Sequence, residues 1–168
     1  VFVTNTQYNP NFNSGMSQAD VYCETVGNGK PSWGSYKALL VDDNSRVATT
    51  NGTNATGQTG WVLKNSTSYY LANGGSGPFT DRAFTTDTFG LIPFPLAKAF
   101  TNSGTDTFWT GMNNNMTTAT NTCVNWTQNG SSGPPHETTY GVGSNTSINA
   151  INSGVSDCST GTTRRLIC

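Results

Sequence analysis

Four cysteines constrain this 168-residue chain more than any other feature: Cys23, Cys123, Cys158 and Cys168. None sits in a C-x-x-C pair, and a single histidine, His136, accompanies them, so zinc-ribbon, thioredoxin and mixed Cys/His metal sites are poorly supplied. An even cysteine count in so polar a chain points to disulfides and an oxidising compartment, that is, outside the cytoplasm. Four cysteines allow three pairings, and spacing does not choose among them.

The rest of the composition explains why such staples are needed. Charged residues make up 10% and apolar residues 33% of the chain, against about 25% and nearly half in an average soluble domain. Asn, Thr, Ser and Gly supply about half of all residues. Disorder is argued against by 11% aromatics, four of the residues being Trp, and by a net charge of only −1. Eight Lys and Arg scattered through the sequence make no footprint for a polyanion, so nucleic acid is excluded as a partner. No apolar run approaches the roughly 18 residues of a membrane span. The chain starts at Val1 without a recognisable leader and reads as a mature or trimmed segment.

Length and the lack of an internal repeat or linker predict one domain over 1–168. Val1–Thr4 is β-branched and reads as a strand. Ser17 with Asp20 resembles a capping box, and Ala19, Tyr22, Cys23 and Val26 fall on one face of a short helix that Gly27 would stop. The run Tyr36–Val41 reads as a strand closed by Asp42-Asp43-Asn44, and Phe108–Met112, Cys123–Thr127 and Arg164–Cys168 read as further strands. Residues 49–60 form a polar loop, 73–78 a wide turn, and 113–121 and 128–140 long loops. Pro93 and Pro95 break the apolar stretch 84–100. The expectation is an α+β fold: a mixed, mostly antiparallel sheet with short helices and long loops.

In order along the chain, Met16–Cys23 (MSQADVYC), Gly34–Leu40 (GSYKALL) continuing to Asp42 with Arg46, Trp61-Val62-Leu63 with Tyr69-Tyr70, Trp109-Thr110-Gly111, Cys123 to Thr127 (CVNWT), Cys158 and Leu166-Ile167-Cys168 form an ordered set. This set resembles the endostatin-like branch of the C-type lectin-like fold, and more closely the leptospiral endostatin-like family of bacterial surface proteins. The resemblance covers nearly the whole chain. It implies two nested disulfides, Cys23–Cys168 around Cys123–Cys158, pairing of the first and last strands, and Trp61, Trp109 and Trp126 as core anchors. It also implies an adhesin-like role at the outer cell surface toward a matrix or plasma protein or a glycan. The acid–amide calcium triplets of sugar-binding C-type lectins are missing: Pro134-Pro135-His136-Glu137 has the proline without the flanking ligands. The histidine-rich zinc site and arginine-rich surface of vertebrate endostatins are missing too. A calcium-independent, cofactor-free module is therefore expected.

No catalytic constellation emerges. His136 stands alone in a Gly/Pro-rich loop beside Glu137 and reads as a solvated loop residue, with no nucleophile elbow around any serine. Asp20 reads as a helix cap and Asp42-Asp43 as a turn, and no two carboxylates are placed to face each other across a glycosidase cleft. Gly141-Val142-Gly143 lacks the lysine of a phosphate loop. Seven N-x-[ST] triplets, from Asn51 to Asn145, match what an Asn/Thr-rich chain yields by chance. On the last strand Arg164 and Arg165 point to opposite faces, one toward an acid and the other toward solvent. Uncharged loops carrying Asn113, Asn114, Asn115, Met116, His136 and Tyr140 are the candidate binding surface, since interface centres are poor in charge and rich in aromatics and Met. The function expected is a non-enzymatic extracellular binding module. The alternative is a self-assembling subunit of a surface filament, sheath or layer, because so little charge leaves little repulsion between copies.

Overall fold

The computed structural model describes residues 1–28, 35–49, 58–72, 80–130 and 133–168. The expected turn at 73–78, most of the loop 49–60, Gly34, and the triplets at Asn51 and Asn54 lie outside those residues.

The described residues form a small mixed helix and strand structure with two antiparallel sheets, short helices and two disulfides. Helix α1 spans Met16–Gly27. Strands β1 (Ser68–Tyr70) and β2 (Arg82–Thr85) pair antiparallel, and β3 (Thr107–Trp109), β4 (Glu137–Val142) and β5 (Gly154–Asp157) make a three-stranded sheet in the order β3-β4-β5. A 3-10 turn at Ile148–Ala150 joins β4 to β5. No helix among the described residues is long and apolar enough to cross a membrane.

The centre of the molecule is a layer buried on both sides. Residues 38–41 are all buried, and they alternate: Ala38 and Leu40 enter one hydrophobic cluster, Leu39 and Val41 the other. Trp109 and Leu166 join the first, Phe108 and Ile167 the second. Such alternation has the period of a strand, but the expected strand Tyr36–Val41 is not a regular one: Lys37 is exposed and Leu40 N–H bonds back to Ala38 O at 2.9 Å. The alternation turns the near-continuous apolar run Ala38–Val41 into a contributor to both cores. Backbone bonds tie the three segments together: Leu39 N–H donates to Ile167 O at 2.7 Å, Val41 N–H to Thr110 O at 3.0 Å and Trp109 N–H to Arg165 O at 3.2 Å. The first and last segments pair as expected, with Phe2 N–H on Cys168 O at 2.9 Å and Thr4 N–H on Leu166 O at 3.0 Å. They do so through isolated bridges rather than a long ladder, as do Tyr8 and Arg164.

The disulfides are nested, Cys23–Cys168 closing 145 residues around Cys123–Cys158 closing 35. In the chain-entropy account, such loops stabilise by about 5 and about 4 kcal/mol.

Three local expectations are corrected. Helix α1 begins at Met16 with Gly15 as a cap that makes no side-chain bond, and Ser17 Oγ donates to Ser14 O instead of capping. Asp20 is not a cap. Its carboxylate accepts Ala38 N–H at 2.9 Å and grips Arg46 through Nη1 at 2.9 Å and Nη2 at 2.6 Å. Arg46 is buried, so a forked ion pair joins the helix to the segment after the Asp42 turn. The expected strand Cys123–Thr127 is a tight helical turn, Cys123–Trp126, whose four residues all carry φ between 51° and 64°. L-residues pay about 1 kcal/mol or more each for this left-handed twist. It lets Cys123 reach Cys158 while Trp126 sends its Nε1–H to Val41 O at 2.8 Å. Gly111, itself at φ 69°, clears the way: a Cβ there would lie 2.8 Å from Val41 O and 3.0 Å from the Trp126 ring. Of the three tryptophan anchors, Trp109 and Trp126 are fully buried, whereas Trp61 is only partly buried against the core with its Nε1–H on Gly90 O.

Candidate binding site

The six candidate surface residues separate into two groups. Asn113–Thr118 forms a closed turn: Asn113 N–H donates to Thr117 O and Asn113 Nδ2 to Thr118 O, while Asn115 Oδ1 accepts from Thr117. Asn114 and Asn115 are exposed and Asn113 is half-buried. Met116 is not a surface residue. It is 2% exposed, sits in the hydrophobic core, and accepts Ile92 N–H on its sulfur at 3.0 Å. Its φ of 65° reverses the turn and drops the flexible thioether inward, where it fills the core below Ile92.

His136 lies just before β4 and Tyr140 within it, so the expected loop 128–140 becomes strand from Glu137 onward; both residues are half-buried. His136 is not the solvated loop residue expected: its ring packs on Gly130, where a Cβ would come within 2.0 Å of Cγ, and its Nδ1 is buried with no partner among the described residues. Its backbone O accepts Cys158 N–H at 2.9 Å, next to the inner disulfide.

Tyr140 belongs to a constellation that sequence reasoning missed. The Arg164 guanidinium lies over the Tyr140 ring, 3.7 Å from its centroid, and 5.0 Å from that of Trp109. Arg164 Nη1 donates to Thr107 Oγ1 at 2.7 Å, and its Nε is buried without a partner. Among the described residues no carboxylate pairs with Arg164. Burial lowers its pKa and the nearby Tyr140 works in the opposite direction. A guanidinium nonetheless remains charged at neutral pH.

Expected opposite roles for the two arginines are met on one side only. Arg165 pairs with Asp106 at 3.0 Å and donates to Thr4 O and Asn5 O, while Arg164 lies on aromatic rings rather than in solvent. Tyr8 continues the cluster: its O accepts from Trp109 Nε1 and from Arg164 N, and its ring stacks on Tyr22 of α1 at 4.3 Å. Burial pushes the Tyr8 hydroxyl pKa up. Gly154 of β5 borders the same ring, a Cβ there standing 3.1 Å from Tyr140 Oη.

Tyr140 and Arg164 are half-buried, and Trp109 beneath them is fully buried. Tyr, Trp and Arg are the side chains that dominate protein interfaces. Among the described residues no group of three or more His, Cys, Asp or Glu side chains could hold a metal ion.

The model of the family described as protein of unknown function (DUF1554) matches residues 5–141, most of the chain, and the chain belongs to that family. The matched stretch contains Cys23 and Cys123 but neither of their partners. No curated protein and no solved structure matches.

Proposed function

We propose that this member of the DUF1554 family is a non-enzymatic binding module of a bacterial outer surface. It is adhesin-like, independent of calcium, and built on the C-type lectin-like, endostatin-like plan of the leptospiral surface proteins that its sequence resembles. Paired first and last segments and nested disulfides support that plan. They also support an oxidising location. The reading is carried by one observation: a charged Arg164 held on Tyr140 and Trp109 with no acidic partner among the described residues. Its matching ligand is a protein of the matrix or plasma that offers a carboxylate beside an apolar surface.

The test is binding of the disulfide-intact domain to immobilised matrix and plasma proteins in EDTA. Binding should persist without calcium, and Tyr140→Ala or Arg164→Gln should weaken it about tenfold or more while near-ultraviolet circular dichroism stays native. Binding to none of these proteins, or loss of binding in EDTA, overturns the proposal.

The second reading, a self-assembling subunit, draws on β5. This strand ends its sheet and carries Val155 at 61% exposure. Uncovered edges of this kind favour pairing between copies. Sedimentation at high concentration decides it, a strict monomer removing the second reading.

A further inference from the structure

Beside the first segment lies a cavity of about 630 Å3, lined by Phe2, Val3, Leu71, Phe100 and two ion pairs, Lys98–Asp81 at 2.6 Å and Arg165–Asp106 at 3.0 Å. That volume falls within the range of ligand cavities, about 300–1,000 Å3. We infer that it receives an extended, uncharged peptide segment of a partner protein, added as a strand along Val3.

The backbone supplies the first argument. Val3 faces Ile167 across an antiparallel bridge. The bonds of that pairing belong to its neighbours: Phe2 N–H to Cys168 O, Cys168 N–H to Phe2 O, and Thr4 N–H to Leu166 O. In such a pattern the N–H and C=O of Val3 point to the opposite edge. Among the described residues neither group has a partner, although Val3 is only half-exposed and lines the cavity. On the same edge Val1 O accepts Ala72 N–H at 2.7 Å, so this edge already takes part in pairing between segments. One residue of an added strand exchanges both bonds with Val3. Buried Phe2, Leu71 and Phe100 form an apolar floor for the side chains that point inward.

Charge selects the peptide. Each carboxylate in the cavity is matched by its own cation, so the lining carries two positive and two negative groups and no net charge. The Arg165–Asp106 pair is further locked by bonds from Arg165 to Thr4 O and Asn5 O. A lysine or glutamate side chain entering the cavity meets a like charge together with the opposite one and must break a formed pair. A Thr/Val-type segment breaks none. The inference stands apart from the Arg164 face and fails or holds independently of it.

The experiment titrates the 15N-labelled domain with an acetylated, amidated Thr-Val-Thr-Val-Thr peptide and follows the Val3 amide by NMR. A saturable downfield shift of that resonance is expected, insensitive to salt, because no net charge is neutralised. N-methylation of the peptide's central residue should weaken binding about tenfold or more. Val3→Pro removes an N–H that has no partner among the described residues, and Ala99→Phe puts a ring into the cavity that Ala99 lines; each should reduce binding by the same order. An unmoved Val3 amide, binding unaffected by both variants, or a Lys-containing analogue that binds more tightly at low salt overturns the inference. A Val3 shift that grows with protein concentration and no peptide assigns the edge to a second copy, which equally overturns a foreign partner.

Discussion

The two hydrophobic clusters share a central layer and are held together by different means. One is aromatic and stapled: Trp109, Trp126, Phe12 and α1 residues Ala19 and Cys23 pack around both disulfides. The other, with Phe84, Phe100, Phe108, Ile151 and Ile167, has no cysteine at all and depends on burial, with the short β1–β2 pair packed over it. Because Ala38–Val41, Phe108-Trp109 and Leu166-Ile167 feed alternate residues to each side, the covalent ties on one side also fix the wall of the other. A chain with few apolar residues thus stabilises two cores with one set of cross-links.

Removing the outer tie tests this most severely. Cys23→Ser with Cys168→Ser should lower unfolding free energy by about 5 kcal/mol, and the inner pair by about 4. Urea melts should show both clusters unfolding together at a lower midpoint; loss of one cluster alone would separate them. Next in size, Phe108→Ala and Trp109→Ala alter neighbours on opposite sides of the layer. Each should cost about 4 kcal/mol. Near-ultraviolet circular dichroism should retain the Trp109–Trp126 signal in the Phe108 variant and lose it in the other.

Asp20→Ala leaves the Arg46 guanidinium buried without its carboxylate and should cost about 3 kcal/mol by the same melts. The smallest effect is alkaline. Burial raises the hydroxyl pKa of Tyr8 and Tyr36 on the stapled side and of Tyr69 on the other. The folded state therefore prefers the neutral phenol. Its contribution is present below the ordinary value of about 10 and is lost as pH rises through the folded value. Between about pH 8 and 9 urea midpoints should hold steady, and above about 10 they should decline. A decline starting well below that range would assign the loss to other groups.

Several of these features were legible in the residues. The Ala19, Cys23 spacing placed a helix that aims its cysteine inward, whereas the run Tyr36–Val41, expected as a strand, buries only Ala38–Val41 and forms no regular strand. The left-handed turn at Cys123–Trp126 was not legible, since Cys-Val-Asn-Trp has the composition of a strand and no glycine to mark positive φ. Met116 was misread because an Asn/Thr-rich loop looks solvated throughout, while a single reversed residue is enough to bury its side chain. Nor did the sequence mark the Arg46–Asp20 fork or Arg164 on Tyr140, pairs separated by 26 and 24 positions.

By itself the sequence determined how few charged and apolar residues this chain carries beside its four cysteines, and where its helix and central apolar run lie. Local propensity and composition act over a few residues, and those statements require no more. Tertiary structure decided which cysteines meet, which arginine finds an acid and which lies on rings, and where Val3 is left with an unpaired edge. Each of those depends on contacts between distant segments, whose closeness only the packed layer and its two cores establish.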